Sequence, residues 1–268
     1  MTLLKNLAKL YFTPYGMLRY APYLLIVPII VFQALSLTGC VSTSPGVPNI
    51  YIVSLRPNNN ATDDPLQVRI GYFGICGIDE EGKRCQSASG RSVETLRADL
   101  FPEVFGPNNN NNSSSSSNTT ASANGDEITD LVSTAIDLQS RIFISVLAGA
   151  AVLFLLGIAA LVLYKRDVST GWDEHPRRSA IIRRVTYGML FGSAGLAFAA
   201  ALATSESAGA LEYTTSDTAH ATVLIHAGRT LQVLQWVAFG FETLFALAVP
   251  FLVAYRAPPV AEEWKGEA

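Results

Sequence analysis

Cysteine and histidine are scarce, with three of each in 268 residues. Three cysteines are too few for a disulfide scaffold, and no Cys/His spacing reads as a zinc site. Charge is also thin. Asp, Glu, Lys and Arg make up 15 % of the chain, against about a quarter in an ordinary soluble domain. The formal net charge of −3 supplies no polycationic surface, so nucleic acid is not an expected partner. H-E-x-x-H, G-x-S-x-G and phosphate-loop motifs are missing, and no nucleophile stands at a readable spacing from a base. No catalytic residue, cofactor or bound metal is expected, and the chain does not read as an enzyme.

Apolar residues are plentiful. They make up 49 % of the chain, mean hydropathy is +0.28, and they gather in four long blocks. A helix that crosses a bilayer needs about 20 mostly apolar residues. Ala21 to Val41 holds Gln33 as its one strongly polar side chain. Ile142 to Tyr164 carries no charge, Val185 to Thr204 is small and Ala/Gly-rich, and Leu231 to Tyr255 is interrupted by Glu242. The blocks predict transmembrane helices at 21–41, 142–164, 185–204 and 231–255. Lys165, Arg166, Arg177, Arg178, Arg183 and Arg184 crowd the short connection 165–184, which marks it as cytoplasmic. The tails 1–20 and 256–268 are then cytoplasmic too. The long segment 42–141 and the short segment 205–230 are extracellular loops. Leu37-Thr38-Gly39-Cys40 matches a bacterial lipoprotein cleavage box, but the length of the first block and the three blocks that follow oppose that reading.

The long outer segment divides in two. Asn108 to Ala123 is an Asn/Ser-rich tract that cannot bury enough surface to order itself and reads as a tether. N-x-S/T sequons begin at Asn60, Asn111, Asn112 and Asn118, candidate glycosylation sites of a secretory-route protein. Asp126 to Ser140 leads into the second block as a helix, with Ile128, Leu131, Val132, Ala135 and Ile136 at helical spacing. Before the tract, residues 46 to 105 read as a compact β-rich part. Ile50 to Leu55 and Leu66 to Ile75 are the expected strands, and Val93, Leu96 and Leu100 suggest a short helix. Two or three strands alone are marginal. Cys76 and Cys85, with Gly77 and Gly82 between them, are expected to pair in an oxidising compartment and staple the strands. Two free thiols or a metal pair is the alternative, although no further Cys or His lies nearby to complete a zinc site. Cys40 is left over; it reads as a buried, inert thiol, with an intermolecular bond as the alternative.

Gly71-Tyr72-Phe73-Gly74-Ile75-Cys76, with Cys85 downstream, resembles the Gly-apolar-apolar-Gly-x-Cys…Cys signature of the fungal calcium-regulator and membrane-fusion family, the mating-induced claudin-like four-span proteins. The layout of the chain from about residue 20 to 255 is similar as well. The PalI-type tetraspanning family carries a related motif and is the second resemblance. The first implies low-affinity calcium influx and plasma-membrane fusion during mating, with calcium as the regulated or transported ion. The second implies an organiser of membrane domains or cell contacts without ion transport. Membrane lipids are the expected partners, together with a homo-oligomer or other plasma-membrane proteins. Within the motif, Gly71 and Gly74 are expected to let the backbone bend or approach another segment closely. Tyr72 and Phe73 are expected to pack on the sheet or touch the headgroup layer.

Glu242 is the sharpest single residue, because a carboxyl near the centre of a span costs roughly 2.5–3.5 kcal/mol on insertion scales. Gln33, Gln232 and Gln235 could share the bundle interior with it, where it either marks an ion path or, protonated and hydrogen-bonded to a neighbouring helix, serves packing alone. Asp79, Glu80 and Glu81 lie in the cysteine loop without EF-hand spacing and read as a solvated acidic face. His220 and His226 stand outside helical i,i+4 pairing. Gly188-x-x-x-Gly192, with Ser193 and Gly195, is a small-residue face that permits close helix packing. The expected fold class is an all-α membrane protein: a left-handed four-helix transmembrane bundle with a small disulfide-stapled β-element in the first extracellular loop.

Overall fold

The structure, a computed structural model, describes residues 21–58, 66–80, 82–105, 119–141, 146–169, 176–217 and 223–254. The four sequon asparagines, Glu81 and His220 lie outside the described residues. In chain order the elements are α1 (Ile26–Leu37), β1 (Val53–Pro57), β2 (Gln67–Ile70), β3 (Gly74–Asp79), β4 (Gly82–Ser87), α2 (Val93–Leu100), α3 (Pro102–Phe105), α4 (Thr119–Arg141), α5 (Val146–Ser169), α6 (Pro176–Asp217), β5 (Val223–Ala227) and α7 (Arg229–Ala254).

Three helices carry stretches long and apolar enough to cross a membrane: Val146–Arg166 in α5, Ala180–Thr215 in α6 and Arg229–Pro250 in α7. The apolar helix Ala21–Leu37, of which α1 is the main part, is shorter. It still packs into the same bundle. Ile29 of α1 is buried in one cluster with Phe154 and Leu161 of α5, Leu190 of α6, and Phe245, Ala246 and Val249 of α7. Phe32 stacks on Phe241 with ring centroids 5.8 Å apart. Outward-facing Leu24, Val27, Leu155, Leu156, Val233 and Leu247 leave the helices apolar all round, as helices in lipid must be.

The helices outrun the hydropathy blocks. Block 185–204 lies inside a 42-residue helix, α6. The basic connection is largely helical: Lys165 and Arg166 lie near the end of α5, and Arg177, Arg178, Arg183 and Arg184 lie on the first turns of α6. Hydropathy marks where charge begins, whereas Arg, Lys, Glu and Ala all propagate a helix well. The tether boundary moves too, since α4 begins at Thr119 and takes in residues 119–123.

The sheet is antiparallel, in the order β4-β3-β2-β1-β5. Its fifth strand corrects the expectation that segment 42–141 builds the β-element by itself and that 205–230 is a loop. β5 pairs with β1 along its whole length, from Val53↔Ala227 to Pro57↔Val223. Two strand boundaries also change. Pairing of the first strand with β2 starts at Val53 and not at Ile50, while β1 runs on to Pro57. The expected strand Leu66 to Ile75 is broken into β2 and β3 by a tight turn, in which the Gly71 N–H donates to the Gly74 carbonyl at 2.8 Å. The alternation of Val68, Ile70 and Tyr72 continued through that turn and concealed it.

Cys76 and Cys85 face each other in the β3–β4 register and form a disulfide with an S–S distance of 2.03 Å and Cα atoms 4.0 Å apart. Sheet and bundle share a hydrophobic core. Ile52, Leu55, Val68, Ile70 and Ile75 of the sheet layer pack with Leu96 and Leu100 of α2 and with Ile128, Leu131, Val132 and Ala135 of α4. Leu147, Ala200, Ala208 and Leu231 join them from the bundle. The sheet is therefore seated on one end of the bundle and capped by α2 and α4.

Candidate functional site

The site begins where α1 ends. Thr38 closes the helix, its N–H donating to the Ala34 carbonyl at 2.8 Å. Gly39 and Cys40 then turn sharply, and Cys40 takes a φ of 59°, a left-handed conformation that non-glycine residues seldom adopt. The β2–β3 turn presses against this corner. A Cβ on Gly71 would stand 2.2 Å from the Gly39 carbonyl oxygen, and one on Gly74 would stand 2.0 Å from that of Cys40. The close approach expected of the motif glycines is thus made to the backbone that leaves α1. Gly39 is equally confined, with Ile50 O 2.3 Å from its missing Cβ. The Cys40 thiol is buried beside the disulfide, and burial pushes it up to about 12, against a smaller opposing pull from Arg69. Such a thiol is unreactive.

Tyr72 projects from the turn into the end of the bundle and is buried; Phe73 beside it stays exposed. Gln235 of α7 donates its Nε2–H to the Tyr72 hydroxyl at 2.7 Å. That hydroxyl lies 2.9 Å from Thr204 Oγ1 of α6, and Thr204 donates its own hydrogen to the Ala200 carbonyl at 2.8 Å. The only consistent assignment runs Gln235 to Tyr72 to Thr204 to Ala200. Burial pushes the phenol pKa up, and the two hydrogen bonds oppose this. Gln139 of α4 donates to the carbonyls of Gly71 and Tyr72, both at 3.0 Å. The motif turn thereby ties the ends of α1, α4 and α7 to the interior of α6.

Deeper in the bundle lies a second polar cluster. Glu242 of α7 is buried, with 1 % of its surface exposed. Gln33 of α1 donates its Nε2–H to Oε1. Oε2 stands 3.0 Å from Ser193 Oγ of α6, and Ser193 stands 2.9 Å from the Ala150 carbonyl of α5. All four helices meet at this carboxyl. Of the three glutamines named with Glu242, Gln33 reaches it and Gln235 serves Tyr72, while Gln232 is only partly buried.

Other sequence candidates fall elsewhere. Asp79 accepts the Gly82 N–H at 2.9 Å and shapes the β3–β4 turn. His226 lies 3.6 Å from Glu212, both half exposed. Among the described residues, no three His, Cys, Asp or Glu side chains gather to hold a metal. Gly188 and Gly195 face open space, and the close α5–α6 approach is made at Gly157, where Leu190 lies 2.8 Å from the missing Cβ. Gly39, Gln139, Gly157 and Thr204 were not legible as site residues. For Gly39 the signal was present, in the Thr-Gly-Cys that ends the first block.

Fold and site define a class of protein: a polytopic helical membrane protein whose disulfide-stapled sheet is seated on its bundle through a Gly-Tyr-Phe-Gly-Ile-Cys turn. Residues 52–255 match the family of the Ca2+ regulator and membrane fusion protein Fig1. The chain belongs to this family. No match to a curated protein was found.

Proposed function

We propose that the calcium regulation and membrane fusion of this family are carried out here at a fungal plasma membrane during mating, through support of low-affinity calcium influx. The observation that carries the reading is the family match over residues 52–255, with the motif turn at the junction of sheet and bundle. The protein acts without catalysis. Its helices cross four times, counting the shorter Ala21–Leu37, and both termini are cytoplasmic. Two features support that orientation. Basic residues bunch where α5 ends and α6 begins, and the disulfide belongs on the oxidising side. Asn60, Asn111, Asn112 and Asn118 are then on the glycan-accepting side. Membrane lipids surround the bundle, and a second copy or another plasma-membrane protein is the partner.

A second reading, a claudin- or PalI-like organiser without ion transport, is favoured by one observation: Glu242 is buried and tied by hydrogen bonds to Gln33 and Ser193 in the bundle interior. The deciding experiment follows cytosolic calcium with an encoded reporter, with mating factor as stimulus. Cells lacking the protein are compared with cells restored by the wild type. A response lost on deletion and restored by the wild type is expected. A response independent of the protein leaves the organiser reading in its place.

A further inference from the structure

The hydrogens around Glu242 can be counted. Ser193 Oγ touches two oxygens, Ala150 O at 2.9 Å and Glu242 Oε2 at 3.0 Å. A serine hydroxyl has one hydrogen to give. If it goes to Ala150, a carbonyl that can only accept, then the contact with Glu242 is a hydrogen bond only when Oε2 carries a hydrogen. Oε1 is already served by the Gln33 amide. A carboxylic acid lets both Ser193 contacts be hydrogen bonds, whereas a carboxylate lets only one be, since Ala150 O already holds its helical N–H donor and Ser193 has a single hydrogen.

The surroundings agree. Gln33 faces the carboxyl from α1, the Ala150 carbonyl and Phe154 line that level from α5, and Ser193 faces it from α6. None is a cation, and an unpaired buried charge is strongly disfavoured. Further along the bundle stand the Tyr72 hydroxyl, bonded to Gln235 towards the sheet, and Tyr23 and Tyr187 around the opposite cluster.

Two further atoms mark a route. Ser36 Oγ and Gln235 Oε1 belong to residues 1 % exposed, and neither has a hydrogen-bond partner. Ser36 lies one turn from Gln33 towards the sheet. Gln235 lies two turns from Glu242 on the same stripe of α7, about 10 Å away at the helical rise. Gln235 also bonds the Tyr72 hydroxyl, and Ser36 lies on the turn of α1 that leads to the sheet. Unpartnered buried polar atoms of this kind are where internal water binds.

We propose that Glu242 is a proton-binding site, held as a carboxylic acid in the folded bundle and exchanging its proton with the sheet side through water at Ser36 and Gln235. On release, the Oε2–H bond breaks, its electron pair stays on the carboxylate, and the proton passes to water. The Ser193 hydrogen then swings from Ala150 O to Oε2, and α5 loses its bond to the cluster. The occupied site pins α5, α6 and α7 together, and alkalinisation on the sheet side loosens them. This inference does not depend on the calcium reading, because its test reads the carboxyl itself.

The test is infrared difference spectroscopy of the full chain in lipid nanodiscs at neutral pH. A protonated-carboxyl stretch is expected in the wild type and is lost in Glu242→Gln. Ser193→Ala, which removes the acceptor of the acid hydrogen, shifts the stretch to higher frequency and serves should Glu242→Gln fold poorly. A wild type without a protonated band assignable to Glu242 overturns the site. Transfer to deuterated water is expected to shift the band quickly in the wild type and slowly in Ser36→Ala; equal exchange in the two overturns the route.

Discussion

At the scale of single residues, the motif is a matter of space. Gly74→Ala would drive a methyl into the Cys40 carbonyl, and Gly71→Ala one into that of Gly39. Either change is expected to cost about 3 kcal/mol, seen as a large fall in the thermal midpoint of the purified protein and poor surface delivery. Gly188→Ala is the control, since nothing lies within 4 Å of its missing Cβ; helix propensity gives a gain of up to about 1 kcal/mol. Equal effects at positions 74 and 188 would refute the close approach. Tyr72→Phe keeps the ring and removes the hydroxyl between Gln235 and Thr204. It is expected to cost about 1–3 kcal/mol, and an unchanged midpoint would show the network to be idle. The pattern of residues 71–76 revealed that glycine matters here but not what it touches. The contact is with backbone at Gly39 and Cys40, more than thirty positions away in the chain, and a backbone oxygen leaves no trace in side-chain patterning.

At the scale of elements, the disulfide staples a hairpin already paired in register. Closing so short a loop is worth on the order of 2–3 kcal/mol. Cys76→Ser is therefore expected to impair folding or trafficking, read as loss of surface protein; normal delivery and activity would contradict this. Gly228 makes the turn from β5 into α7, with Tyr51 O only 1.8 Å from its missing Cβ. Gly228→Val is expected to displace β5 from β1 and to raise protease sensitivity around residue 223, which limited proteolysis would detect. The helical elements were legible because Ile128, Leu131, Val132 and Ala135 keep one face in the core. β5 was not. Val-Leu-Ile-His-Ala is five residues long and stands just before the apolar run of α7, and its strand character comes from the partner β1 more than from its own pattern.

For the whole molecule, the arrangement of bundle and sheet was half visible. Four apolar blocks and one stapled β-element could be read along the chain, but not that α6 continues far beyond block 185–204. Its apolar stretch of 36 residues is about 54 Å long at the helical rise, against a hydrocarbon core of about 30 Å. The excess carries Ala208 into the sheet core. Orientation is tested directly: glycosidase treatment of the expressed protein is expected to lower its apparent mass, less so in Asn60→Gln. A protein carrying no glycan would count against the sheet facing outward.

The junction of the β2–β3 turn with the Gly39–Cys40 corner has a mechanical consequence. Backbone is wedged against backbone there, with no flexible side chain between to absorb displacement. A pull on the sheet is delivered to α1 as tilt. Gln33 rides on the same rigid rod, so the strain arrives at the Glu242 carboxyl. The corner is the fulcrum of a lever whose long arm lies outside the bundle and whose short arm ends at its most polar point.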